Sequence, residues 1–392
     1  MFSSRVRHVA QRNRLAIALD ARRAAGAPII DLTMSNPTRA GFMYPSALIG
    51  AFAQDSAVCY DPQPLGLRSA REAVSADFGR RGILLPPDRI VLTTSTSEAY
   101  SLLFKLLCDP GDTVFAPRPS YPLVEHLTGL DAVSLEHFNL EYHGRWAVDV
   151  EGLKQSLPAQ RHGRTRAIIM ISPNNPTGST FTTVELEAIA ALAREHRLAL
   201  ISDEVFADYS LSGAACPTAL SQHEVLTFVL GGLSKSIGLP QAKLGWIGVG
   251  GPDEEVAEAL DRLETICDAY LSVSTVVQVA APNVLKRGAD VRGQIQRRIR
   301  DNFALLVEIA CVYPSCSVLP AEAGWSAIIQ VPSVRSEETL VLELLERTGI
   351  LVHPGYFFDF EREAFLVISL LPETASFSSA LHVLFGEIGR LR

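Results

Sequence analysis

"AIIMISPNNPTGSTFTTVELEAIAALAREHRLALISD", residues 167–203, holds two short apolar runs separated by a helical period. The runs 167–172 and 198–203 are continuously apolar rather than alternating, the pattern of strands buried on both faces of a mainly parallel sheet. Between them, 182–196 places Leu186, Ile189, Ala190 and Ala193 on one helical stripe, and Thr182 with Glu185 has capping-box spacing. Strand, helix and strand follow one another, so the stretch reads as α/β.

Working outward, the same kind of apolar run recurs at 90–94, 113–116, 226–230 and 244–249, with no internal repeat and no low-complexity tract. After about residue 285 the pattern changes to a basic, helical "RGQIQRRIRDNFALLVEIA", then a few strands and a last helix. The expected architecture is an α/β fold: a large domain with a mainly parallel seven-stranded sheet between helices, plus a smaller α+β domain. The expected boundaries are 1–45 for an N-terminal segment joining the small domain, 46–285 for the large domain and 286–392 for the small one.

Composition narrows the function classes. At 392 residues, 47% hydrophobic and 20% charged, the chain is ordinary for a globular enzyme. Its formal charge of -8 provides no basic footprint for nucleic acid, and no apolar run approaches the roughly 20 residues of a membrane span. Six cysteines include no C-x-x-C pair, and the N-terminus lacks the apolar core of a signal peptide, so a cytoplasmic location with reduced thiols is expected.

In an open α/β sheet the ligand sits beyond the carboxyl ends of the strands, and here those ends are polar: "STSEA" after 90–94, "PRPSYP" after 113–116, "PNNPTG" after 167–172, "DEVF" after 198–202 and "GGLSK" after 226–230. Each alone has a plain reading as a turn, a cap or a surface aromatic; the ordered set does not. Ser95, Thr96 and Ser97 open a helix whose free N–H groups and positive dipole end suit a phosphate dianion. Tyr121, held between two prolines, can lay its ring on a flat heterocycle. Asn175 can hydrogen-bond a ring hydroxyl, and Asp203 can keep a pyridine nitrogen protonated. Lys235, losing its proton by desolvation, can form a Schiff base. Phosphate, ring, pyridine nitrogen and aldehyde together describe pyridoxal 5'-phosphate.

Over nearly its full length the chain resembles the class I/II aminotransferases of the aspartate aminotransferase superfamily, the fold-type I pyridoxal-phosphate enzymes. The likeness rests on "YDPQPLGLRSAREAV" (60–74), "TTSTSEA" (93–99), "PSYP" (119–122), "PNNPTG" (173–178), "SDEVF" (202–206), "SKSIGLPQAKLGW" (234–246) and "VHPGYFF" (352–358). The resemblance implies Lys235 as aldimine lysine and proton shuttle, with Ser234 beside it in the cofactor set. It further implies Asp203 on the pyridine nitrogen, Asn175 on the ring oxygen, Tyr121 stacked on the ring and Thr96 and Ser97 at the phosphate. Tyr60 would reach the phosphate of the other subunit in a homodimer with composite sites. An amino acid and a 2-oxo acid are the implied substrates.

Several positions depart from that pattern. Phe206 stands where the family usually has a tyrosine that donates to the ring oxygen. Lys243 replaces a phosphate-binding arginine, a point charge in place of a planar fork. Gly232 replaces a serine, and the spacing from Tyr60 to Gly66 is one residue longer. Val367 occupies the place of the arginine that clamps the substrate carboxylate, which leaves Arg39, in the N-terminal loop "SNPTRAGF" (35–42), and His353 as candidate anchors. Transamination is the expected reaction. The alternative is a pyridoxal-phosphate-dependent lyase, replacement or cyclising enzyme of a specialised pathway. A sensing half of a transcriptional regulator would need a fused DNA-binding domain, and a dinucleotide oxidoreductase a complete G-x-G-x-x-G that "GVGG" (248–251) lacks.

Overall fold

A computed structural model describes residues 2–6, 12–157 and 163–390. Its principal sheet has eight strands, in spatial order Ile90–Thr93, Gly245–Gly250, Thr227–Gly232, Ala199–Asp203, Thr165–Ile171, Thr113–Arg118, Ser134–Tyr142 and Trp146–Val148. Neighbours are parallel except that Gly245–Gly250 runs against both of its partners and Trp146–Val148 runs against Ser134–Tyr142. The sheet is mainly parallel and helix-covered, as expected, but carries one strand more than seven. Six of the eight are the apolar runs of the sequence, and the other two form a short hairpin at the edge. Ser134–Tyr142 has a half-exposed, mixed burial pattern and Trp146–Val148 is three residues long, so neither presents the continuous apolar run that marks a central strand.

The central strands are buried on both faces, and alternate side chains serve two separate cores. Ile168, Met170, Leu200 and Val229 face the helices Arg68–Arg80, Thr183–His196 and Thr275–Arg287, whereas Ala167, Ile169, Ile201 and Phe228 face Thr96–Leu107 and Asp253–Asp268. Thr183–His196 begins on the complete capping box of Thr182 and Glu185 and ends at Arg197 in the left-handed region.

A second, antiparallel sheet has the order Ser317–Val318, Ser326–Gln330, Phe365–Ser369, His353–Pro354. The two ends of the chain meet beside it. Ile30–Asp31 pairs in parallel with Ile350–Leu351, and helix Arg14–Ala24 packs on Glu337–Thr348. The segment preceding Ser326 is tied to the large sheet's loops. Glu322 and Ala323 both donate their N–H to the Gly178 carbonyl at 2.9 Å, Leu211 N–H donates to Glu322 O at 2.8 Å, and Gly324 N–H donates to Tyr209 O at 2.9 Å. These bonds bring the second sheet against the carboxyl ends of the first.

Candidate active site

Where the two sheets meet there is a cavity of about 330 Å³. The large sheet delivers Thr96, Tyr121, Asn175, Asp203, Phe206 and Lys235 to it, and the second sheet Trp325, Ser326, His353, Val367 and Ser369. Those from the large sheet lie at the end of a strand or within a few residues after it, so parallel strands ending on one rim are what gather them.

Asp203 ends its strand and lines the cavity. Its Oδ2 accepts from the Tyr100 hydroxyl at 3.2 Å and its Oδ1 from Val205 N–H at 3.2 Å. Burial pushes its pKa up to about 6, against the lowering effect of those two bonds and of the Lys235 charge. The same burial lowers Lys235, opposed by the Asp203 carboxylate. Lys235 belongs to the short turn of helix Leu233–Ser236, which follows Thr227–Gly232 directly. A side chain at Gly232 would bring its Cβ to 3.1 Å from Leu244 O, which accounts locally for glycine in place of serine.

At the other end of the rim, Ser95 caps helix Thr96–Leu107 by accepting the Glu98 N–H at 3.2 Å, and Glu98 in turn accepts from Thr94 N–H at 2.6 Å. The Ser95 oxygen therefore serves the helix end. Thr96 lines the cavity, and Ser97 is half-buried in the same first turn. Gly245 packs its backbone against Ser95, where a Cβ would come within 2.9 Å of the Ser95 carbonyl carbon. Asn175 lines the cavity, and its Oδ1 accepts from Ser326 Oγ at 3.2 Å. Tyr121, 52% exposed, presents its ring at the mouth.

Not every candidate is brought in. Tyr60 is 69% exposed in a separate depression with Gln63 and Tyr270. Lys243, in the left-handed region two residues before Gly245, is exposed, and Ser234 is half-buried outside the lining. Arg39 is exposed at the end of the turn Pro37–Arg39; from its segment Thr33, Met34 and Ser35 reach the cavity instead. His353 does line it. It pairs across the strands with Val367, and burial lowers its pKa despite the Asp31 charge, which favours the neutral imidazole. Among the described residues lining the cavity none is an arginine.

Tyr100 and Trp325 were not singled out from sequence. Tyr100 had a signal, standing four residues after Thr96 on the same helix face. Trp325 had none, because it reaches the site only through the tertiary bonds that join 322–324 to Gly178 and Tyr209.

The described residues contain no cluster of His, Cys, Asp and Glu able to hold a metal ion, and no helix long and apolar enough to cross a membrane. Comparison with known proteins places this geometry. The chain is 25% identical over 370 residues to glutamate-pyruvate aminotransferase AlaA of Haemophilus influenzae, covering 91% of this chain and 89% of the other. It is 30% identical over 274 residues to nicotianamine aminotransferase 1 of Oryza sativa subsp. japonica, covering 66% of this chain and about half (53%) of the rice protein. The fold matches that of alanine aminotransferase from Pyrococcus furiosus with a TM-score of 0.88 at 22% identity, over 99% of both chains. The family model for aminotransferase class I and II matches residues 51–376. The chain thus belongs to the class I and II aminotransferases, a family whose members depend on pyridoxal phosphate, and it is an aminotransferase of fold type I.

Proposed function

We propose that the cavity binds pyridoxal 5'-phosphate and exchanges an amino group between an amino acid and a 2-oxo acid, with Lys235 as the covalent amine. The observation that carries this is the buried Asp203 carboxylate facing Lys235 in one cavity, a negative charge for which a protonated ring nitrogen is the fitting partner. The donor set fits the rest of the group: Asn175 for a ring oxygen, Tyr121 for the ring face, and the Thr96 and Ser97 hydroxyls at a helix N-terminus for the phosphate. The bound cofactor supplies an electron sink, so that a C–H bond beside the amino group can ionise.

The chain's own residues do the remainder. Lys235, its ammonium form weakened by burial, takes the proton from the substrate carbon and delivers it elsewhere. Asp203 holds the ring nitrogen's positive charge. At the substrate end, His353, Ser369 and Ser326 offer neutral hydrogen-bonding groups beside Val367, in place of a guanidinium. Arg39, exposed at the end of its turn, lies outside the cavity lining. Single amino acids added to the loaded enzyme should convert the cofactor to its amine form, and a 2-oxo acid should restore the aldehyde form. Release of ammonia or of a side-chain fragment, with no restoration by 2-oxo acid, would establish the lyase alternative instead.

Phe206 has its own consequence. A phenol donating to the cofactor's ring oxygen favours the deprotonated, neutral-nitrogen form of the lysine linkage. Tyr209 does not substitute, because its hydroxyl is already 2.6 Å from the Lys235 carbonyl oxygen. Phe206→Tyr should lower the midpoint of the cofactor's absorbance titration, and an unmoved or raised midpoint in a folded variant refutes the assignment.

We further infer a homodimer with composite sites. Tyr60 is exposed away from the cavity of its own chain, as expected of a residue that serves a partner subunit. Mixing Tyr60→Phe with Lys235→Ala subunits should yield hybrid dimers in which both lesions fall in one site and the other site is intact. Recovery of activity on mixing supports the arrangement; hybrids with every site damaged would refute it.

A further inference from the structure

Lys235 is gripped from two directions that neither the strand-end pattern nor the family resemblance accounts for. From below, the Tyr209 hydroxyl donates to the Lys235 carbonyl at 2.6 Å and lies 3.2 Å from the Ser236 carbonyl. The buried Arg292 reaches the same turn, donating from Nε to Ser236 O at 2.8 Å while Asp77 (3.0 Å) and Asp208 (3.4 Å) hold its guanidinium. From the side, the Lys235 Nζ stands 5.0 Å from the ring centroid of Trp325 and 5.5 Å from that of Phe206. Trp325, only 4% exposed, meets Phe206 edge to face at 5.3 Å and Tyr209 edge to face at 5.0 Å. The Gly324 N–H bond to Tyr209 O and the Leu370 N–H bond to Trp325 O at 2.7 Å fix the backbone on either side. Tyr209 thus touches both the backbone from which the lysine springs and the ring against which its nitrogen rests.

We propose that Trp325, braced on Tyr209, is a positioning residue for Lys235, holding its nitrogen against the indole face and favouring the positively charged state of that nitrogen. An aromatic face attracts a cation most strongly where water is excluded. The indole, with the buried rings of Phe206 and Tyr209 edge to face against it, is in such a place. This inference rests on Lys235 being the residue that carries the cofactor.

The test uses the loaded enzyme and a pH titration of cofactor absorbance in wild type, Trp325→Leu, Trp325→Phe and Tyr209→Phe. Losing the indole should lower the midpoint in Trp325→Leu by about half a unit to one unit, the equivalent of one cation–π contact. Trp325→Phe, which keeps an aromatic face, should recover part of the shift. Tyr209→Phe keeps the ring brace and loses the hydroxyl. It should leave the midpoint close to wild type while reducing the circular dichroism of the cofactor band per bound cofactor, because the lysine's backbone is less firmly held. A wall that only excludes water predicts the opposite sign for Trp325→Leu: water entering the cavity favours the charged form, and the midpoint rises. A raised or unmoved midpoint therefore overturns the proposal. Borohydride reduction of each variant separates this failure from that of the reading it rests on. Cofactor fixed at Lys235 with no downward shift refutes only the role of Trp325, and cofactor fixed at another lysine refutes the assignment of Lys235 itself.

Discussion

Lys235→Ala should lower turnover by about two to four orders of magnitude, the contribution of a positioned general acid or base, while leaving the fold intact. The lysine's nitrogen makes no hydrogen bond or ion pair with the described residues. It rests against the rings of Phe206 and Trp325 and feels the longer-range pull of Asp203, so truncation breaks no hydrogen bond or ion pair. Borohydride reduction of the wild type should fix the cofactor to the peptide that contains Lys235, and the alanine variant should bind cofactor without being labelled. Label on Lys243 or Lys286, or a variant within tenfold of wild-type turnover, would mean that another amine does the work. Lys243 is exposed and outside the cavity lining, which makes it the informative control.

The reason this assignment was legible from sequence is topological. Parallel strands all end on one side, so the residues after each apolar run are gathered whatever the details of packing. Thr96, Tyr121, Asn175, Asp203 and Lys235 each follow such a run, and all five line one cavity. The edge hairpin Ser134–Tyr142 with Trp146–Val148 was not legible, because an edge strand is half solvated and loses the continuous apolar signature. Trp325 was hidden for a different reason. Its place depends on backbone bonds from 322–324 to Gly178 and Tyr209, contacts of long sequence separation that no local pattern announces. The substrate end behaves in the same way. Val367 and His353 become neighbours only through the register of two short strands, and a sequence motif that names an arginine says nothing of what replaces it.

Asp203→Asn should reduce turnover by about two to three orders of magnitude, as for loss of one preorganised electrostatic group, and should at the same time make the cofactor-free protein more stable. The two effects have one origin. The carboxylate is buried, and that burial disfavours its charged form and raises its pKa from 3.8 to about 6. Between those two values the folded protein binds more protons than the unfolded chain, so stability falls as pH rises through the window, and the loss is complete above it. Asparagine cannot ionise, and the Tyr100 hydroxyl, free to rotate, can accept from the new amide. The variant's advantage over wild type should therefore be small near pH 4, grow toward pH 6 and level off above pH 7 at about 1–3 kcal/mol. Urea unfolding of both cofactor-free proteins, at equal protein concentration and several pH values, measures it. An advantage that is the same at pH 4 and pH 8 would show that the gain is one of packing, and an advantage absent at every pH would show that Lys235 already neutralises the carboxylate. The expected pH-dependent gain would mean that the fold tolerates an ill-matched buried charge, held ready for a positively charged ring nitrogen, and that the cofactor relieves this cost when it binds.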